Sequence, residues 1–240
     1  MNHNDMGANK IMIAIIGAMD EEIELLKSKM SITREEKVAN CHFFVGNIEG
    51  KDIVLLQSGI GKVNAAMSTT IMFERYQPDY IINTGSAGGY HKELEVGDIV
   101  ISDHVVHHDV DVTAFKYEYG QVPGMPPSFK ADEQLVEKAL EAAEKLDGVQ
   151  AMRGLISTGD TFMEDPSRVQ FVREKFPDVI AAEMEAAAIA QVCHQYNKPF
   201  VVIRALSDIA GKESSISFDS FLKKAAENAA KLIIDVIKKL

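Results

Sequence analysis

Strands and helices alternate along this 240-residue chain, and that alternation predicts an α/β fold: a single domain with a central mixed β-sheet flanked by helices. Three observations carry the prediction. Short β-branched runs at 11–17 and 200–206 are apolar, broken only by Arg204, as strands covered on both faces require. Segments with apolar residues at helical spacing lie between such runs. No linker, internal repeat or low-complexity tract interrupts the series, and 46% hydrophobic residues suffice for one sizeable core.

The elements follow in order. Residues 11–17 are the first strand. Residues 20–30 form an amphipathic helix through Ile23, Leu25, Leu26 and Met30. A hairpin is expected at 41–48 and 53–57, with 49–52 as its turn. Residues 61–76 read as a helix ended by Pro78. Residues 79–84 read as a strand that leads into a glycine-rich turn at 85–89. Residues 98–112 are rich in β-formers. Prolines and glycines between 120 and 128 mark a loop. Then come a helix at 131–146, a strand at 151–158, and a helix at 166–176 with proline in its first turn. A short strand at 179–182, a helix at 185–196, a strand at 200–206 and a closing helix at 218–240 complete the domain, which spans 10–240. Residues 1–9 are polar, lack the layout of a signal peptide, and are expected to be a disordered extension.

Bulk properties narrow the function. A net charge of −11 argues against nucleic acid or anionic membrane as a partner, because both reward basic surface. No apolar run reaches the length of a membrane span. Cys41 and Cys193 both lie in apolar contexts, so a disulfide framework is not implied and a cytoplasmic location is expected.

Three acidic sites adjoin core-like segments. Glu183 and Glu185 flank Met184 in an otherwise apolar stretch, and burying such charges demands partners or a chemical use. Asp20, Glu21 and Glu22 follow the first strand; Glu22 precedes Ile23 on the side that can turn toward the strand ends. Asp208 closes a strand whose other charged residue is Arg204, and a carboxyl held there can stay protonated and serve as a general acid. Such a set suits acid/base work on a neutral, hydroxyl-bearing small molecule. The glycines of 85–89 let the backbone approach a ligand closely, and Phe162 can stack on a planar ring. Neither a dinucleotide fingerprint nor a P-loop is present: Gly59-Ile60-Gly61-Lys62 lacks the upstream glycine and the following Ser/Thr. His104, His107, His108, Asp109 and Asp111 have spacing that could ligate a metal, but strand-rim polarity is the preferred reading.

Six motifs in order carry a resemblance. They are Gly17-Ala18-Met19-Asp20-Glu21-Glu22, Ser58-Gly59-Ile60-Gly61-Lys62-Val63, Asn83-Thr84-Gly85-Ser86-Ala87-Gly88-Gly89, His108 through Phe115, Glu183-Met184-Glu185, and Arg204-Ala205-Leu206-Ser207-Asp208. Together they closely resemble the bacterial 5′-methylthioadenosine/S-adenosylhomocysteine nucleosidases, from about residue 10 to the C-terminus. The resemblance implies a nucleoside-phosphorylase-like fold, a cytoplasmic homodimer, adenine nucleosides as small-molecule partners, and no cofactor or metal. It implies hydrolysis of the adenine–ribose bond, with Glu22 as general base for water and Asp208 as the acid that protonates adenine N7. Glu185 would accept the ribose hydroxyls. Gly88, Phe162, Met163 and Met184 would contact purine and ribose, Ser86 and Arg204 would surround the water and sugar, and Ile60 would join the substrate wall. Val112, Phe115 and Pro123 would come from the partner subunit to enclose the 5′-alkylthio group.

Overall fold

The computed structural model describes residues 11–212 and 214–240; the extension expected at 1–9 lies outside the described residues. Among them one mixed sheet is built from β1 (Met12–Gly17), β2 (Ser31–Val38), β3 (Cys41–Ile48), β4 (Lys51–Gln57), β5 (Tyr80–Gly89), β6 (Ile99–His107), β7 (Phe129–Lys130), β8 (Ala151–Thr158), β9 (Val179–Glu183) and β10 (Phe200–Ile209). The order across the sheet is β10-β6-β8-β9-β5-β1-β4-β3-β2, with β7 beside β6. Strand β10 also pairs with β5, so β10, β6, β8, β9 and β5 close into a ring and β1-β4-β3-β2 extend from it as a wing. The strands of the ring are largely buried because helices cover the outside and side chains fill the inside.

The helices are α1 (Asp20–Ser28), α2 (Lys62–Tyr76), α3 (Glu133–Ala143), α4 (Pro166–Lys175), α5 (Ala186–Gln195) and α6 (Ser214–Lys238). Helix α6 lies on β10 and β5 and against α1, while α2 packs on α5. Their ends follow local chemistry. Asp132 caps α3 by accepting the Leu135 N–H, and Asp165 caps α4 by accepting the Ser167 N–H just after Pro166. Helix α2 stops at Gln77, whose left-handed conformation precedes Pro78.

The structure departs from the sequence expectations at several elements. The 85–89 segment is not a turn: β5 runs through it, with Gly88 and Gly89 paired to Ala182 and Ala181 of β9. Strand β10 continues past Leu206 to Ile209, with a bulge between Leu206 and Asp208. Strand β2 is absent from the sequence reading because it is a charged, largely exposed edge strand, a composition that blunts edge pairing rather than advertising a strand. The β3–β4 turn is tighter than expected: Glu49 and Gly50 both have positive φ, as a two-residue hairpin turn requires.

Candidate active site

Segments at the carboxyl ends of β1, β5, β8, β9 and β10 enclose a cavity of about 250 Å³. Ligand sites in open α/β sheets favour this end of the strands.

Glu22 reaches the cavity from the first turn of α1 and is 2% exposed. Its Oε2 accepts the N–H groups of Ala18 (2.8 Å) and Met19 (3.2 Å); its Oε1 accepts the Ser86 N–H (2.9 Å) and the Ser86 hydroxyl (3.1 Å). Four donors on two oxygens suit a group that only accepts. Gly85 makes this close approach possible. A Cβ there would stand 2.6 Å from Glu22 Oε1 and 2.4 Å from Arg204 Nη1, and the backbone has φ of +145°.

Asp208 lines the same cavity from the β10 bulge and is 3% exposed. Bulges re-aim side chains in this way. Burial raises its pKa, a push opposed by the hydroxyls of Ser207 and Ser214; the Ser207 Oγ donates to Oδ1 at 2.8 Å. Gly88 faces it across the strand pair: a Cβ at Gly88 would come within 3.0 Å of Oδ2.

Glu183 and Glu185 divide the two fates open to paired acids. Glu183 is fully engaged. It accepts from the Thr158 hydroxyl, from the Glu185 and Ala186 N–H groups at the start of α5, and from Arg204 Nη2. A carboxylate there satisfies free amides and complements the helix dipole. Glu185 accepts the Gly61 N–H at 2.9 Å and pairs with Arg204 at 3.3 Å. Burial pushes its pKa up to about 8 against the pull of Arg204, with Glu183 and Glu22 adding to the rise. Arg204, 1% exposed, also donates to Asn83 Oδ1 and the Ser86 carbonyl. Its charge is thereby spent within the protein.

The histidine–aspartate segment forms no ligand set. Strand β6 ends at His107, so residues 107, 109 and 111 do not share a strand face. Burial holds the His107 and His108 pKa values down, and His107 Nε2 pairs with the Gln191 side chain. Asp109 is taken by Lys62 and Asp160. No cluster of three or more metal-ligating side chains occurs among the described residues.

Residues 12–238 match the phosphorylase superfamily. The 5′-methylthioadenosine/S-adenosylhomocysteine nucleosidase of Bacillus velezensis is 60% identical over 228 residues, covering 95% of this chain and 99% of that protein. The chain belongs to the 5′-methylthioadenosine/S-adenosylhomocysteine nucleosidase family. Among solved nucleosidases, that of Neisseria meningitidis in complex with methylthio-immucillin-A superimposes with a TM-score of 0.93 at 49% identity, over 95% of this chain and 99% of that one. That of Colwellia psychrerythraea in complex with adenine superimposes with 0.94 at 48% identity, over 97% and 96%.

The nucleosidase-like cavity gathers Glu22, Ile60, Ser86, Gly88, Phe162, Met163, Met184, Glu185, Arg204 and Asp208, all expected from sequence. It does not gather Val112, Phe115 and Pro123, which lie outside it; Phe115 is 75% exposed on a single turn of 3-10 helix, Thr113–Phe115. Sequence reasoning missed Phe218, which lines the cavity from α6 and meets the Phe162 ring edge-on at 5.7 Å. Its apolar character made it one more core residue of the closing helix. Ser207, beside Asp208, was also missed as a cavity residue, and Glu183, singled out as a buried acid, lines the cavity too.

Proposed function

We propose that this chain hydrolyses the N-glycosidic bond of 5′-methylthioadenosine and S-adenosylhomocysteine, and of 5′-deoxyadenosine, releasing adenine and the 5-substituted ribose. Asp208 gives its proton to adenine N7 as the C1′–N9 bond breaks and its electron pair moves onto the base. Glu22 takes a proton from the water whose oxygen attacks C1′. Glu185 accepts the ribose hydroxyls and, with Glu22, stabilises positive charge developing on the sugar. Ser86 and Arg204 order the water and sugar, while Ile60, Gly88, Phe162, Met163 and Met184 hold ribose and purine. The paired carboxyls of glycosidases follow the same logic, with a protonated base here in place of a protonated oxygen.

The observation that carries this reading is the placement of two unlike carboxyls along one strand. Glu22 is anchored at Ser86 and Asp208 stands in register with Gly88. Two residues of strand separate these anchors by about 7 Å, room for a water and a glycosidic bond. Phosphorolysis is the second reading. It requires a cation free to meet a phosphate dianion, and Arg204, the arginine at this cavity, already serves two carboxylates.

The enzyme works in the cytoplasm, in methionine salvage, as a homodimer. In that assembly Val112, Phe115 and Pro123 of one subunit close the 5′-alkylthio end of the other's cavity. An exposed Phe115 is consistent with such a role.

The test is chromatography of each nucleoside after incubation with the protein, with and without phosphate. Adenine and free 5-substituted ribose are expected at equal rates in both. Ribose 1-phosphate would establish phosphorolysis, and absence of adenine would leave a binding protein. Sedimentation at assay concentration is expected to give a dimer; a fully active monomer would remove the shared wall.

A further inference from the structure

One polar cluster lies just outside the cavity and has no part in the chemistry above. Lys62 Nζ donates to Asp109 Oδ1 at 2.6 Å, the Asp160 N–H donates to Asp109 Oδ2 at 3.0 Å, and the Lys62 N–H donates to Asp160 Oδ1 at 2.8 Å. These three bonds tie together three separate segments: the first residue of α2, the segment after β6, and the segment after β8. The carboxylate of Asp109 is half shielded; burial raises its pKa, and the Lys62 ammonium with the Asp160 N–H outweighs that and holds it below the usual range.

The turn that the cluster holds has one contact of consequence. Gly61 precedes Lys62 and donates its N–H to Glu185 Oε1 at 2.9 Å. Gly61 has φ of +93°, and a Cβ there would stand 3.1 Å from Asp160 Oδ1. The backbone is therefore pressed between the cluster on one side and Glu185 on the other. A single amide hydrogen bond orients a buried side chain only if the amide itself is fixed, and partners one shell removed from a reacting group commonly change its performance by about 10–100-fold in metal sites, where this has been measured.

We propose that Lys62, Asp109 and Asp160 form a clasp that positions the Glu185 carboxyl for the ribose through the Gly61 amide. They are positioning residues: none of the three lines the cavity. The inference rests on the assignment of Glu185 to the ribose.

The test compares two ligands that share the adenine site. One is adenine itself. The other is the 7-deaza analogue of 5′-methylthioadenosine, which lacks the nitrogen to be protonated and so stays intact while it binds. Affinities are measured for the full-length protein and for the variants Lys62→Ala, Lys62→Arg, Asp109→Asn and the Lys62→Ala/Asp109→Asn double variant. Lys62→Ala and Asp109→Asn are each expected to weaken the nucleoside about tenfold and adenine less than twofold. The double variant should be no weaker than either single one, because both remove the same link, and Lys62→Arg should recover most of the loss. Thermal melts identify any variant that fails to fold, and Asp109→Asn, which keeps the side-chain shape, then stands as the test alone. Equal weakening of both ligands, no weakening, or losses that multiply in the double variant would overturn the clasp. A parent protein that releases no adenine from 5′-methylthioadenosine would instead overturn the proposed function, and the clasp's purpose with it.

Discussion

Glu22 and Asp208 are both buried carboxyls beside β5, yet their surroundings differ in kind. Glu22 receives four hydrogen bonds, three of them from backbone amides fixed by the turn after β1 and by β5 itself. Asp208 accepts from the Ser207 hydroxyl, and burial outweighs that pull to raise its pKa. Backbone donors cannot turn away or accept a proton, whereas a hydroxyl can donate to a carboxylate or accept from a carboxylic acid. The two carboxyls thus meet different kinds of donor, amide against hydroxyl, with both held out of solvent.

Removing either carboxyl should break the reaction and leave the comparison visible in stability. Asp208→Asn and Glu22→Gln are each expected to lower kcat by roughly 10²–10⁴, the usual worth of general acid–base catalysis. Adenine release under single-turnover conditions measures it, and near-normal turnover in either variant removes that residue from its role.

The same two variants should move the melting temperature in opposite directions at neutral pH. In Glu22→Gln the amide NH2 must face N–H donors at one end or the other. Toward Ser86 the hydroxyl can rotate to accept, but the Ser86 N–H loses its partner, at a cost of about 1–3 kcal/mol. Asp208 behaves otherwise. Its folded-state pKa lies above its unfolded value, so the folded chain binds the extra proton and loses stability as pH rises from the unfolded pKa through the folded one. An asparagine carries no such penalty and keeps an oxygen for Ser207. Asp208→Asn should therefore melt higher than the parent at pH 7, with the gain shrinking toward pH 4. A lower melting point at pH 7, or a gain independent of pH, would show that the Asp208 environment does not favour the neutral acid.

How much of this was legible in the sequence depends on where each cause lies. Strands buried on both faces announce themselves as apolar runs, and an acid placed at the end of such a run, as with Glu22 and Asp208, stands out. Causes that come from distant residues do not. Gly85 reads as a turn because the need for a missing Cβ comes from Arg204 and Glu22, far along the chain in both directions. Strand β2 exists because β3 offers an edge, not because its own residues favour a strand. Glu183 and Glu185 look alike in sequence; only the fold shows that Glu183 caps α5, while Glu185 is held by the Gly61 amide and shares Arg204 with it. Phe218 joins the site because α6 starts at Ser214, one turn earlier than its apolar pattern indicates.

The smallest expected effect tests the hydroxyl side of the comparison directly. Ser207 donates to Asp208 Oδ1, is 1% exposed, and is the nearest neighbour that favours the ionised form. Ser207→Ala removes that donor and leaves burial unopposed except by Ser214, so the Asp208 pKa must rise further. Turnover needs the protonated acid and is lost as pH climbs through that pKa, so the alkaline limb of the kcat/KM profile should move to higher pH in the variant. The variant keeps the proton donor itself, so kcat near neutral pH should change less than tenfold. A limb that stays in place would show that Asp208 does not set the alkaline transition. Glu185, which burial pushes up to about 8, contributes a transition of its own. The two are separable by sign: ionisation of Asp208 abolishes the proton donor, whereas ionisation of Glu185 strengthens the acceptor for the ribose hydroxyls and raises kcat/KM with pH.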